Sequence, residues 1–348
     1  MDRPEVLAWL REGDPARLEE LWRRADAARR EGVGDEVHLR GLVELSSHCV
    51  RSCGYCGLRA PNAGLRRYRM SDAEVLECAL KAEDFGYGTV VLQSGEDPGL
   101  DADRVAGLVR GIKVRTRLAV TLSLGERADD ELEAWREAGA DRYLLRFETS
   151  DERLYGLIHP DLPGRPSDRI AMLGRLRTMG YETGSGVMVG IPGQTLESLA
   201  DDILLFRAFD LDMIGIGPYL PHPATPLGAG QWRRPVLEDE QAPSSAEMAC
   251  KVLALARLAC PRANIPSTTA LATLDRENGR ELGLRRGANV VMPNLTPPGC
   301  RELYEIYPSK ACANETAENC RGCLETRLRS MGRIPGKGPG GRRHTLST

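Results

Sequence analysis

The chain has 348 residues, 41% of them hydrophobic, and a formal net charge of -3 at pH 7. Such a chain can bury a large core, and its mixed charges exclude the strongly basic surface that binds nucleic acid or an anionic membrane. No apolar run approaches the roughly 18 residues of a membrane span, and Met1–Asp14 lacks the apolar core of a signal peptide. We therefore expect a cytoplasmic protein with neither nucleic acid nor a membrane as a partner.

A charged segment with apolar residues at helical spacing opens the chain. The apolar positions are Val6, Trp9, Leu10, Leu18, Leu21 and Trp22. Because these positions recur at the period of a helix, the pattern predicts an N-terminal helical cap over residues 1–37 that packs on the rest of the protein.

Short β-rich runs alternate with amphipathic helical stretches from residue 38 to about residue 293. This alternation is typical of βα units around a parallel sheet. Eight runs are predicted as strands: His38–Leu45, Thr89–Gln93, Leu118–Ser123, Arg142–Glu148, Ser185–Ile191, Asp212–Pro218, Asn264–Thr269 and Asn289–Asn294. Eight such units predict an α/β fold, a (β/α)8 barrel of the TIM type over residues 38–295, with catalytic residues at the carboxyl ends of its strands.

Three closely spaced cysteines, Cys49, Cys53 and Cys56, lie in the loop directly after the first predicted strand. A 4Fe–4S cluster needs four ligands, so three cysteines would leave one iron open to an external chelator. The amino and carboxylate groups of S-adenosylmethionine (SAM) can fill that position, and one electron from the cluster can then cleave the C–S bond of the sulfonium. The alternative is a zinc site with His48 as fourth ligand, although closed zinc sites usually pair two short hairpins that are separated in sequence.

The spacing Cys-x3-Cys-x-Tyr-Cys, formed by Cys49, Cys53, Tyr55 and Cys56, is the signature of the radical SAM superfamily. Over nearly its whole length the chain resembles the HydE family of FeFe-hydrogenase maturases, which is related to biotin synthase and methylornithine synthase. The segments that carry the resemblance are Tyr55–Arg59, Val91–Asp97, Tyr143–Thr149, Met188–Thr195, Thr268–Thr273 and Gly287–Asn294. Several of them lie at predicted strand ends, where barrel enzymes keep their active sites.

The residues expected to bind SAM follow from chemical arguments and from this resemblance. The carboxylates of Glu96 and Asp97 suit the ammonium and ribose hydroxyls of SAM, although exposed acids in an ordinary turn are the alternative. Arg169 suits the SAM carboxylate, and a glycine at Gly190 would let the adenine ring approach the backbone. The full expected set is Tyr55, Ser94, Gly95, Glu96, Asp97, Glu148, Arg169, Met188, Gly190 and Ile191.

The resemblance also implies a substrate cavity opposite SAM. Its expected lining is Gln93, Ser123, Arg146, Thr268, Thr269, Met292, Tyr304 and Tyr307. Arg146 precedes Glu148 by two residues and should face the same side of its strand. This lining suits a compact anion whose cyanides and carbonyls accept few hydrogen bonds, with Arg146 as the balancing cation. The family implies a small organometallic iron substrate, companion radical SAM and GTPase maturation factors, and an electron donor such as ferredoxin or flavodoxin.

A second cysteine group, Cys312, Cys320 and Cys323, lies in a C-terminal extension over residues 296–330. Some HydE proteins have this spacing and bind an accessory iron–sulfur cluster with it, whereas zinc is the alternative ligand for such thiolates. Residues 331–348 are rich in glycine, proline and basic side chains. We predict that this tail is disordered, because it cannot bury enough apolar surface to order itself.

Two further functions share parts of this pattern. Methylornithine synthase has the same barrel, cysteine triplet and SAM site but rearranges lysine, so only groups on the substrate side could discriminate against it. A non-catalytic iron–sulfur scaffold would bind a cluster without cleaving SAM. Such a scaffold would have no need of the segment Ser94–Asp97, Glu148 and Arg169, all of which are present.

Overall fold

A curled parallel sheet forms the centre of the computed structural model, which describes residues 1–232, 236–311 and 316–342. Its strands are β1 (Glu36–Ser46), β2 (Thr89–Ser94), β3 (Ala119–Ser123), β4 (Arg142–Leu144), β5 (Glu182–Val189), β6 (Met213–Pro218), β7 (Val290–Val291) and a short β8 (Ile334–Pro335). The order across the sheet is β6-β5-β4-β3-β2-β1-β7, with β8 paired to β1 outside this path. Apart from β8, whose Ile334 is 54% exposed, the strands are buried on both faces, as parallel strands under helices require. The predicted TIM-type α/β fold is confirmed.

The seventh predicted strand, Asn264–Thr269, is reduced to two isolated bridges. Asn264 pairs with Met213 of β6, and Pro266 pairs with Val290 of β7, so this run connects the two edges of the sheet. It ends early because the side chain of Thr268 caps the following helix. The prediction of a strand through Thr269 is therefore wrong.

Helices cover the outside of the sheet and connect its strands. They are α1 (Arg3–Arg11), α2 (Pro15–Val33), α3 (Asp72–Asp84), α4 (Ala102–Arg115), α5 (Asp129–Glu137), α6 (Glu152–Ile158), α7 (Arg169–Thr178), α8 (Leu196–Ala208), α9 (Ala246–Ala259), α10 (Thr269–Leu274), α11 (Gly279–Arg285), α12 (Pro298–Arg301) and α13 (Ala317–Ser330). Side-chain caps fix several starts: Ser71 and Glu74 form a capping box at α3, and Asp101 caps α4.

The N-terminal segment is helical, as predicted. Helix α1 packs on α8 and helix α2 on α9, so the pair covers one side of the barrel. Val6, Leu10 and Leu21 are almost fully buried in this contact. None of the helices in the described ranges combines the length and the apolar character that crossing a membrane requires.

The tail beyond Met331 is ordered through residue 342, so the prediction of disorder is wrong for this part of it. Its carbonyl groups accept hydrogen bonds from side chains at the amino-terminal end of the barrel. Arg40 Nη2 donates to the carbonyl of Gly340 at 3.0 Å, and Arg142 Nη2 donates to that of Pro339 at 3.1 Å. Both arginines are buried. The tail is ordered by polar contacts with buried cations rather than by apolar burial, and residues 343–348 lie outside the described residues.

Candidate active site

The cysteine triplet lies at the carboxyl end of β1 and lines a cavity of about 350 Å³ inside the barrel. Cys49, Cys53 and Cys56 are all free thiols. Burial raises the pKa of each thiol, that of Cys56 to about 12. A buried thiolate needs a nearby positive charge, and iron or another thiophilic cation supplies it. The donor set therefore fits three-cysteine ligation of a 4Fe–4S cluster.

Two arginines and one glycine hold the backbone of the cysteine loop. Arg59 Nε donates to the carbonyl of Cys53 at 3.0 Å, and Arg67 Nη1 donates to that of Leu58 at 2.6 Å. Gly95, directly after β2, lies against the loop, since a Cβ there would come within 2.6 Å of Cβ of Cys49. The protein's own contacts therefore hold the cysteine loop in place.

Beside the cysteines, two arginines and two glutamates form a buried network of ion pairs. Arg51 Nε lies 2.6 Å from Glu96 Oε2, and its Nη2 lies 3.0 Å from Glu126 Oε2. Arg169 Nε lies 2.9 Å from Glu126 Oε1, and its Nη2 lies 3.4 Å from Glu96 Oε1. Burial acts to raise the pKa of Glu126, but the hydrogen bond from His159 and the charge of Arg169 outweigh it and hold that pKa well below its ordinary range. Each carboxylate is therefore neutralised by two guanidinium groups.

Glu148, just beyond β4, combines burial with an unusual backbone conformation. It is 6% exposed and has a φ of 65°, which costs a residue other than glycine about 1–3 kcal/mol unless the surroundings impose it. Arg146 Nη2 lies 2.9 Å from Glu148 Oε2, but the contact lacks the angles of a hydrogen bond. Both atoms are buried without a hydrogen-bond partner among the described residues. They lie at the cavity wall with bonding capacity for a ligand.

Most of the residues predicted from the sequence do meet in this one cavity. Its lining includes Cys49, Cys53, Tyr55, Cys56, Gln93, Ser94, Gly95, Glu96, Ser123, Arg146, Glu148, Arg169, Met188, Thr268, Thr269, Met292, Tyr304 and Tyr307. These residues follow strands distributed around the barrel, as the rule for active sites at strand ends requires. Three predicted residues, Asp97, Gly190 and Ile191, are not part of the lining.

Asp97 has a structural role instead. Its carboxylate accepts two hydrogen bonds from Arg69, both at 2.7 Å, one from the Ser46 hydroxyl at 2.6 Å and one from the Gly99 backbone N–H at 2.9 Å. Burial acts to raise the pKa of Asp97, but these hydrogen bonds outweigh it and lower that pKa to about 2. Four protein donors therefore occupy the four accepting positions of this carboxylate.

Gly190 and Ile191 also serve the fold. Gly190 has a φ of 82°, and a Cβ there would lie 2.3 Å from Cα of Ser244, so the glycine permits contact between two chain segments. The expectation that it admits an adenine ring is not supported by this position. Ile191 is fully buried in a small apolar cluster with Ile158 and Tyr219. Met188, on the cavity wall, packs against the same cluster.

Several residues of the site were not predicted. Glu44 in β1 and Lys310 in the C-terminal extension form an ion pair at 2.7 Å on the cavity wall, and Asn294 Nδ2 donates to Glu44 at 3.0 Å. Lys310 also donates to the carbonyl of Tyr304 at 3.0 Å. No local motif marks Glu44 or Lys310, because only the fold brings residues from opposite ends of the chain together. Of the second cysteine group, Cys323 is exposed, whereas Cys312 and the side chain of Cys320 lie outside the described residues.

Comparison with known proteins identifies the family. The model of the radical SAM superfamily matches residues 43–206. The FeFe-hydrogenase maturase subunit HydE of Thermotoga maritima is 45% identical over 330 residues, which cover 95% of this chain and 90% of that protein. The chain belongs to the HydE family of radical SAM enzymes. Its cofactors are accordingly a 4Fe–4S cluster and SAM, which replaces the alternatives of a zinc site and of a non-catalytic scaffold.

Methylornithine synthase is a more distant relative of this chain than HydE is. The 3-methylornithine synthase of Methanosarcina acetivorans is 28% identical over 322 residues, covering 91% of this chain and 85% of that protein. A crystal structure of methylornithine synthase (PylB) matches with a TM-score of 0.79 at 25% identity, covering 97% of this chain and 94% of the other. The shared barrel agrees with the predicted relationship.

Proposed function

We propose that the protein acts as a HydE-type maturase in the assembly of the di-iron subcluster of FeFe hydrogenase. The observation that carries the proposal is 45% identity to the Thermotoga HydE over 95% of the chain, against 28% to a methylornithine synthase. The bound cluster would supply the electron that cleaves SAM to a 5'-deoxyadenosyl radical. The protein's own residues hold the cluster, orient SAM and enclose the substrate.

Among the residues expected to bind SAM, we propose that Glu148 makes the principal polar contact. Its Oε2 lies 2.9 Å from Arg146 Nη2 but is buried at the cavity wall without a hydrogen-bond partner in the described part of the chain, so an ammonium or hydroxyl group of SAM would satisfy it. Arg169 is already paired with Glu96 and Glu126, and Glu96 is also paired with Arg51. Their contribution is to fix the wall beside Tyr55, Ser94 and Gly95.

On the substrate side, the lining suits a small anionic iron species. Arg146 has two buried nitrogen atoms without hydrogen-bond partners among the described residues, although Nη2 lies 2.9 Å from Glu148 Oε2, and Thr269 and Ser123 add hydroxyls. Glu44 and Lys310 neutralise each other. The ammonium or carboxylate of a free amino acid could bind to either side chain only by breaking this ion pair. An anionic iron species with cyanide and carbonyl ligands needs only a cation and a few hydrogen-bond donors from the cavity wall.

The maturation role implies partners within the same assembly pathway. We propose companion radical SAM and GTPase maturation factors, with ferredoxin or flavodoxin as the electron donor. A cytoplasmic location agrees with this role, since cluster thiolates require a reducing compartment. We further propose that Cys312, Cys320 and Cys323 bind an accessory iron–sulfur cluster, which the spacing and softness of these ligands support.

The maturase proposal is tested by an assay with two arms. In a hydrogenase maturation mixture that lacks its own HydE, the reconstituted protein is expected to restore hydrogenase activity. With lysine, SAM and dithionite, it is expected to form no methylornithine. Formation of methylornithine together with no rescue of hydrogenase would transfer the assignment to methylornithine synthase.

Two adjacent threonines allow a finer test of the substrate side. The hydroxyl of Thr269 makes no hydrogen bond to the described residues, whereas that of Thr268 donates to the Ile216 carbonyl at 3.0 Å and caps α10. Thr269→Val is expected to lower maturation about tenfold, the effect of roughly 1.4 kcal/mol, with SAM binding and stability unchanged. Thr268→Val is expected to lower stability by about 1 kcal/mol. Equal maturation by the wild type and Thr269→Val would place the substrate elsewhere.

A further inference from the structure

His159 lies against Cys53 of the cysteine triplet. It follows α6, and its ring is fully enclosed, with a residue exposure of 1%. Its Nδ1 lies 3.0 Å from Sγ of Cys53, within hydrogen-bond distance for sulfur. The backbone N–H of Gly54 also donates to the carbonyl of Ile158 at 2.8 Å, which docks the end of α6 directly onto the cysteine loop.

The far side of the imidazole is held by the buried network of ion pairs. His159 Nε2 lies 3.1 Å from Glu126 Oε1 and 3.2 Å from Arg169 Nη2. Nε2 can donate to the first or accept from the second, and either contact fixes the ring plane. Ser167 Oγ donates to the same Glu126 oxygen at 2.6 Å, so the carboxylate is itself held in place. A ring fixed at this distance from sulfur has little freedom to turn away.

The chemistry of Cys53 decides which partner donates. A cysteine that ligates iron is a thiolate and has no proton, so it can only accept a hydrogen bond. Nδ1 of His159 must then carry the proton of the contact. In a neutral ring Nε2 accepts from Arg169, and in a protonated ring it donates to Glu126, so Nδ1 donates to sulfur in both states. Hydrogen bonds to the sulfurs of iron–sulfur clusters are among the factors that set their reduction potentials. A donor stabilises the additional negative charge of the reduced cluster and makes it easier to reduce.

We propose that His159 is a positioning residue that donates an N–H···S hydrogen bond from Nδ1 to the Cys53 sulfur and raises the reduction potential of the cluster. This inference rests on the cluster of the proposed enzyme but not on its maturation role. The EPR signal of the reduced wild-type protein shows whether the cluster is present, independently of any maturation assay. A maturation assay that failed would therefore leave the inference intact.

The test is a redox titration of reconstituted protein monitored by EPR. His159→Leu removes the donor at similar volume, whereas His159→Asn can place its amide N–H near the position of Nδ1. At a fixed potential, His159→Leu is expected to show a ratio of reduced to oxidised cluster about tenfold lower than the wild type, a shift of about 59 mV for a one-electron couple. His159→Asn is expected to stay close to the wild type. His48→Gln, beside Cys49, is the matched control and should titrate as the wild type does.

A fully loaded His159→Leu variant with the wild-type potential would overturn the inference. If this variant fails to load its cluster, pulsed EPR of wild-type protein labelled with 15N-histidine decides the question instead. The reduced cluster is expected to show a weak coupling to histidine nitrogen that His48→Gln retains. No such coupling in the wild type would equally reject a hydrogen bond to Cys53.

Discussion

Alanine at any one of Cys49, Cys53 or Cys56 is expected to abolish the formation of 5'-deoxyadenosine from SAM under dithionite. All three cysteines line the cavity on one fixed loop, and each would supply one of only three protein ligands to the cluster. Loss of one ligand exposes a second iron and leaves the cluster incompletely held. The measurement is the yield of 5'-deoxyadenosine after anaerobic reconstitution, together with iron and sulfide content.

Cys78→Ala is the matched control for these variants. Cys78 is a buried thiol of α3 that donates to the carbonyl of Leu295 at 3.3 Å, and it is not part of the cavity lining. Its replacement should cost some stability while leaving SAM cleavage at the wild-type level. Turnover by a triplet variant at the rate of the Cys78→Ala control would refute the role of the triplet.

The second large effect is expected for Arg51→Met. Arg51 is 2% exposed and bridges the buried Glu96 and the partly buried Glu126, so its loss leaves both carboxylates short of a cation. Breaking a buried ion pair by removing one partner typically costs about 3–5 kcal/mol. We expect a loss of this size in the free energy of unfolding, measured by urea denaturation, and a loss of SAM cleavage because the wall beside the cysteines is no longer held.

An exposed ion pair provides the comparison. Arg104 Nε lies 2.8 Å from Asp72 Oδ1, and this carboxylate is more than half exposed. Arg104→Met is therefore expected to cost no more than about 1 kcal/mol from the pair itself. Adding Glu96→Gln to Arg51→Met should recover part of the lost stability, since one unpaired charge is then removed. Equal stability of Arg51→Met and the wild type would mean that the network does not stabilise the site.

The alternation of β-rich runs and helices was sufficient to predict the barrel and the positions of most site residues. Each predicted run from β1 to β6 overlaps an observed strand, because parallel strands buried on both faces have continuous apolar segments. The prediction of a strand over Asn264–Thr269 is wrong because a threonine hydroxyl can cap a helix as readily as it can end a strand. Local pattern alone does not separate these two outcomes.

The remaining differences between the sequence-based expectations and the structure arise from tertiary contacts. The carboxylate of Asp97 is of a type that binds ligands, but in the folded protein it accepts two hydrogen bonds from Arg69. Lys310 is distant in sequence from Glu44, and only the folded barrel shows that the two are paired. The tail after Met331 looked disordered because it is poor in apolar residues, yet Arg40 and Arg142 bind its carbonyl groups. In each case the deciding partner lies far away in the sequence.

The most direct test of the central claim is whether SAM binds at the cluster of the triplet. EPR spectra of the reduced, reconstituted wild-type protein should change when SAM is added, because its amino and carboxylate groups coordinate the iron that the three cysteines leave open. Glu148→Ala should require a higher SAM concentration for the same spectral change. A reduced 4Fe–4S signal that saturating SAM does not alter would contradict this account.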